Sequence, residues 1–216
     1  MAFSRLIVVV LLVASVSPAR SQDAPNQLMV VAALRAPASA ESVAAIRAGL
    51  KSPDARVRAA AGRVAGVSDP SRYVGDLSSA LAAEGDGEAA REEAWALAIG
   101  DPVGFLGPIL KAAEREGIRD GVLEALGAAK GAKMPEVWAA LPKSLVAEGA
   151  PALVRGARRT GNLALIAPLI LRDQLVEGWS EVLSGASLDQ VAPGLMFAAL
   201  ASPSARIRTD TYVALL

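Results

Sequence analysis

The chain has 216 residues, 22 of them basic and 22 acidic, and is 53% hydrophobic with only 4% aromatic residues. This balance excludes a disordered polyelectrolyte and argues against a bulk electrostatic grip on nucleic acid, while an apolar share made mostly of Ala, Leu and Val favours packed helices over a β-sandwich. Cysteine and histidine are both absent, which removes disulfides, thiolate metal sites, Ser-His-Asp and Cys-His catalysis, and most zinc and haem ligation.

Residues 1–21 have the form of a secretory signal peptide. Arg5 gives a positive start, residues 6–16 form an apolar run of 11, and Pro18 ends any helix. Ala19 and Ser21 then place small residues at −3 and −1 of a cut before Gln22. The run is about half the length needed to span a bilayer, so it reads as cleaved, leaving no stable membrane insertion. The remaining chain carries 20 basic and 22 acidic residues and is expected to be exported, to the periplasm or the exterior.

After a short linker, 22–26, the apolar stretch 27–34 is expected to form a half-repeat helix that caps the helical array. Ser39-Ala-Glu-Ser42 starts a helix bearing Val43, Ile46 and Leu50 at the helical period, with Arg47 in the i+4 slot, and it stops before Pro53. Ser52-Pro53 reads as the start of the next helix, over 53–65, with the hydroxyl as N-cap and proline in the first turn. Val57, Ala60, Ala61, Val64 and Ala65 share its apolar stripe, and Gly66 is expected to be its left-handed C-cap.

The same pattern then recurs. Asp69-Pro70 starts a helix with Val74, Leu77 and Leu81, and Gly85-Asp86-Gly87 turns into one with Ala90, Ala94, Leu97 and Ala98, ending at Gly100. Asp101-Pro102 starts a helix with Leu106, Ile109, Leu110 and Ala113, and Gly117 turns into Ile118, Val122, Ala125 and Leu126, ending at Gly127. A fourth pair opens with Met134, Trp138, Leu141 and Leu145, and its second helix runs through Leu153 and Val154 to Gly161. The fifth carries Leu163, Ile166 and Ile170, then Leu175, Trp179, Val182 and Leu183 to Gly185. The sixth carries Leu188, Val191, Leu195 and Ala199, with Ser202-Pro203 starting its partner. Pro108, Pro168 and Pro193 are expected to bend the first helices of their pairs.

Gly66, Gly100, Gly127, Gly161 and Gly185 close successive pairs over 119 residues and four intervals, and the two Ser-Pro starts lie 150 residues apart. Both spacings fit a unit of about 30 residues, within the range of helical repeat proteins whose pairs bury their apolar faces only by stacking.

The run Ser52-Pro-Asp-Ala-Arg-Val-Arg-Ala-Ala-Ala resembles the second helix of a HEAT repeat of the short bacterial type. Asp54, Val57, Arg58 and Ala61 match its Asp-x-x-Val-Arg-x-x-Ala pattern. The last unit matches at Ile207 and Arg208, with Ser204 in place of the acid. Arg91 with Ala94, and Arg119 with Val122, match more weakly. Arg158 in the small-apolar slot of the fourth repeat, and Glu177 in the arginine slot of the fifth, depart from it and leave the register open over 145–185. The expected fold is therefore all-α: an α-solenoid, a right-handed superhelix of about six stacked antiparallel helix pairs. The resemblance implies that Asp54, Arg58, Arg91, Arg119 and Arg208 are structural braces between adjacent repeats.

Arg155, Arg158 and Arg159 lie at i, i+3, i+4 and share one helix face. With Arg56 and Arg63 they are the candidate partner-binding residues, suited to an acidic segment or an anionic polymer. Glu92, Glu93 and Asp120 interrupt such a stripe, so an ordinary solvated face is the favoured alternative. Glu84-Gly-Asp-Gly-Glu88 lacks the length and ligand count of a calcium loop and reads as a turn. Trp95, Trp138 and Trp179 read as packing residues.

No catalytic, cofactor or metal site is expected. The expected function is a non-catalytic exported scaffold for protein–protein interaction. The alternative is the scaffold portion of a larger secreted enzyme, such as a cyclophilin-type prolyl isomerase or c-type cytochrome fusion. In that case residues 209–216, which end within an apolar helix, would lead into further repeats and a catalytic domain. A bilin-lyase-like enzyme is disfavoured by the signal sequence and the lack of His and Cys.

Overall fold

The computed structural model describes residues 27–101, 103–130, 137, 140–160 and 199–215. Among these the chain is all-helical, with nine α-helices and no strand. The expected signal peptide and linker lie outside the described residues, as do Pro102, Met134, Trp138, Gly161, the whole fifth pair through Gly185, Pro168, Pro193, and Leu188 to Leu195 of the sixth.

The first helix, α1 (Gln27–Ala32), continues into a single 3₁₀ turn, Ala33–Arg35. Helix α2 (Ala40–Leu50) is capped by Ser39, whose hydroxyl accepts from Ser42 N at 3.1 Å. Helix α3 spans Ala55–Ser68. Ser52-Pro53 does not start it, contrary to expectation. Asp54 is the N-cap and accepts from Arg56 N at 3.0 Å, while Ser52 Oγ accepts from Asp54 N and shapes the turn before it. An aspartate beside the first helical N–H groups satisfies an orphan donor and complements the helix dipole, which the hydroxyl two residues earlier cannot do.

Helix α4 (Val74–Ala83) follows a 3₁₀ turn at Pro70–Tyr73 that absorbs the Asp69-Pro70 start. Helix α5 (Gly87–Gly100) is capped by Asp86, whose Oδ1 accepts from both Glu88 N and Ala89 N. Helix α6 (Leu106–Ala113) contains Pro108 in its first turn. There an N–H is not needed, so the expected mid-helix bend has no basis. Helix α7 (Glu116–Ala128) takes in Gly117, which is therefore helical and not a turn. Helix α8 (Lys143–Arg159) joins Leu145 to Leu153 across Pro151, so Leu145 belongs to the second helix of its pair and not the first. Helix α9 covers Ala205–Leu215.

Helices α3, α5, α7 and α8 pack on one another in sequence, while α2, α4 and α6 pack on α3, α5 and α7 respectively. Helix α1 rests on α2 and α3. The core between these two sets is aliphatic and small, with Leu77, Leu81, Leu97, Ile109, Leu123, Leu126 and Leu153 fully enclosed.

Glycines set the spacing of the α3–α5–α7–α8 set. Gly66 does not end α3; the helix runs on to Ser68, and Gly66 lies under the Trp95 ring, where a Cβ would stand 2.5 Å from Cζ3. Gly127 is likewise inside α7 and faces the Leu153 carbonyl, while Gly156 of α8 faces the Glu124 carbonyl in return. These residues recur because two helix axes come this close only where one side lacks a Cβ. The expected left-handed cap at Gly66 is thus replaced by a packing role.

Candidate functional site

The corner between α4 and α5 gathers the densest polar contacts. Glu84 follows α4 in extended conformation and turns its carboxylate inward, leaving its side chain 1% exposed. That carboxylate accepts four hydrogen bonds: from Arg58 Nε and Nη2 at 2.7 Å each, and from Gly85 N and Asp86 N at 2.9 Å. Glu84-Gly-Asp-Gly-Glu88 is therefore a turn organised around a buried ion pair, and bidentate geometry makes such a pair rigid. Burial works to raise the Glu84 carboxyl but is outweighed by the hydrogen bonds from Arg58 and the backbone, so it titrates below the usual carboxylate range. The hydrogen bond to Glu84 raises Arg58 in turn.

Arg58 also donates through Nη1 to the carbonyls of Ser52, at 2.8 Å, and Pro53, at 3.1 Å. It thus fastens the turn before its own helix to the next pair. Arg115, just before α7, reaches back to the carbonyls of Leu81 at 2.5 Å and Glu84 at 2.7 Å. These carbonyls lie at the end of α4, where acceptors are left without helical partners.

The other arginines of the Asp-x-x-Val-Arg register divide into two groups. Arg119 donates to the carbonyls of Ala113 and Glu114 and pairs with Glu148 of α8 at 2.6 Å. Arg208 donates to the carbonyls of Ser202 and Pro203, and Ser204 Oγ accepts from Ile207 N in the place where Asp54 caps α3. Arg58, Arg119 and Arg208 therefore clamp the same two backbone positions, six and five residues back. Arg91 departs: it bonds Glu92 and Glu88 on its own helix and approaches Glu124 of α7 at 3.8 Å. Asp54 serves its own helix as a cap and pairs with Arg56.

The candidate partner-binding arginines do not form one basic face. Arg56 is folded onto Asp54. Arg63 pairs with Glu92 at 3.6 Å, Arg155 with Asp120 at 3.3 Å and Arg159 with Glu124 at 2.9 Å. Arg158 points elsewhere, with Nε and Nη2 buried. What emerges is a ladder of alternating charge, Arg63–Glu92–Arg91–Glu124–Arg159, crossing α3, α5, α7 and α8. Of the acids expected to interrupt a basic stripe, Glu92 is one of its rungs and Asp120 pairs with Arg155 beside it.

The residues not picked out as site residues from the sequence include Glu84, Glu93, Arg115 and Glu124. Glu93 carried a readable signal. It lies three residues after Ala90 and four before Leu97, on the buried stripe of α5, and it is wholly enclosed. Glu84, Arg115 and Glu124 take their roles from neighbouring pairs, so no local pattern marks them.

Beside Arg58 and Glu84 lies an open groove of about 490 Å³, also lined by Leu50, Lys51, Asp76, Ser79, Ala80 and Ala83. Asp76 is engaged by Arg47 and the Ser79 hydroxyl by the Gly75 carbonyl, so most of its polar wall is already used internally. Among the described residues no group of acidic side chains is placed to hold a metal ion, and no helix is long and apolar enough to cross a membrane. The chain has no significant match among protein-family models, curated proteins or solved structures.

Proposed function

We propose that this chain is an exported, non-catalytic scaffold of HEAT-like helix pairs that holds a protein partner on the face formed by α3, α5, α7 and α8. The fold in this reading is a right-handed α-solenoid of about six antiparallel pairs with a period near 30. The observation that carries it is the serial packing of these four helices through Gly66, Gly127 and Gly156, crossed by one charge ladder. Helices stacked in series offer an extended surface, and charges paired in a row along it favour a partner of matching pattern over a single small ligand.

The test is capture from an exported fraction by the chain beginning at Gln22, compared with an Arg63→Glu/Arg155→Glu variant and a Lys51→Glu control. The expected result is a protein retained by the parent and the control and lost from the double variant, with unchanged helicity in all three. Equal retention by all three, or no retained protein, contradicts the proposal.

A further inference from the structure

Glu93 lies in the middle of α5 with its side chain fully enclosed, and neither carboxyl oxygen receives a hydrogen bond. Its backbone packs closely against α3, where a Cβ on Gly62 would stand 3.0 Å from Glu93 N. The charged groups around it are Arg58 from α3, Glu84 from the α4–α5 corner, and Arg115 from the turn before α7. Neither arginine is aimed at Glu93. Arg58 is committed to Glu84 and to the Ser52 and Pro53 carbonyls, and Arg115 to the Leu81 and Glu84 carbonyls.

An ionised carboxylate enclosed without donors is strongly disfavoured, whereas a neutral carboxylic acid is a donor and needs only an acceptor. The acceptor at hand is the Glu84 carboxylate. We propose that Glu93 is held as the neutral acid, sharing its proton with Glu84, and that this pair forms an alkaline-sensitive latch joining α3, α5 and the α4–α5 corner. Loss of the proton places a second negative charge beside Glu84 and sets the two carboxylates in competition for Arg58, the residue that fastens one helix pair to the next. Burial foremost, then the charge of Glu84 and a hydrogen bond with it, push the Glu93 carboxyl up to about 9. The sign comes from proton uptake. The folded chain holds a proton that the unfolded chain releases at about pH 4.5, so this contribution is complete below that value and is lost as pH rises to about 9.

The experiment compares the parent chain with Glu93→Gln, which keeps shape and neutrality and can still donate to Glu84. Folding equilibria are measured by denaturant titration from pH 6 to 10. The parent is expected to lose up to about tenfold in its folding constant per pH unit relative to the variant, approaching a common slope above about pH 9. A parallel pH dependence of parent and variant overturns the proposal. Carbon-13 NMR of the parent decides between the two if the variant does not fold: a Glu93 carboxyl resonance protonated at pH 7 supports the latch, and one that titrates near pH 4 rejects it.

Discussion

Gly62 of α3 lies against the backbone of Glu93 of α5, with room for a Cβ only 3.0 Å from Glu93 N and 3.1 Å from the Glu92 carbonyl carbon. Backbone-on-backbone contact of this kind leaves no flexible side chain to give way. The same relationship joins α7 to α8, where Gly127 meets the Leu153 carbonyl. Gly127→Ala is expected to destabilise the fold by about 1–3 kcal/mol through overpacking. Gly117→Ala, on the same helix with nothing within 4 Å of its Cβ, is expected to be neutral or stabilising by up to about 1 kcal/mol. Thermal denaturation of the two variants side by side checks this. A melting point for Gly127→Ala as high as that of Gly117→Ala refutes the packing role.

Arg58 and Asp54 share one motif but differ in consequence. Removing Arg58 strands the buried Glu84 carboxylate, so Arg58→Ala is expected to cost about 3–5 kcal/mol. Asp54→Ala loses a helix cap, expected to cost about 0.5–2 kcal/mol. Urea denaturation midpoints rank the two. If Asp54→Ala proves the more damaging, the buried pair is not the principal brace.

The acid limb of stability belongs in part to Glu84. Its folded carboxyl is depressed, so its contribution is present above about pH 4.5 and lost as pH falls through the folded value. Acid titration of the melting point is expected to be shallower in Arg58→Ala than in the parent, because the largest stabilising hydrogen bond on that carboxylate is gone. Identical acid limbs would show that Glu84 is not anchored by Arg58.

The charge ladder predicts a smaller and salt-dependent effect. Glu124 anchors Arg91 and Arg159 together, yet both arginines reach solvent and exposed pairs contribute only about 0.2–1 kcal/mol each. Glu124→Gln is expected to cost about 1 kcal/mol at low salt and less at 1 M salt. A loss that does not shrink with salt contradicts a role for Glu124 as a surface rung.

Much of the helical architecture was legible in the sequence because it is written locally. Ser39 and the apolar spacing of Ile46 and Leu50 define α2, and Leu77 with Leu81 defines the buried side of α4. The recurrent glycines were legible as a period but not as contacts. Whether Gly66 ends a helix or lies under Trp95 depends on the neighbouring pair, which no local pattern encodes. Pro108 misled for a related reason: its cost depends on a helix start at Leu106 that is set by the turn before it. The site was less legible than the fold. Arg58 was marked by its motif, but its partner Glu84 sits 26 residues away in a Gly-rich turn, where acids ordinarily face water. Arg155 and Arg159 were grouped by helix spacing, and only the placement of Asp120 and Glu124 on α7 shows that they are paired.

The claim that the α3–α5–α7–α8 face receives a protein partner is tested most directly by crosslinking from defined positions. The chain has no cysteine, so single substitutions at Arg63, Arg155 and Arg159, and at Glu41 and Lys111 on the other helix set, can each carry one photoactivatable label. Irradiation in an exported fraction is expected to yield the same partner adduct from the first three positions and none from the last two. Adducts from α2 and α6 equal to those from α3 and α8, or adducts from neither, would contradict the account.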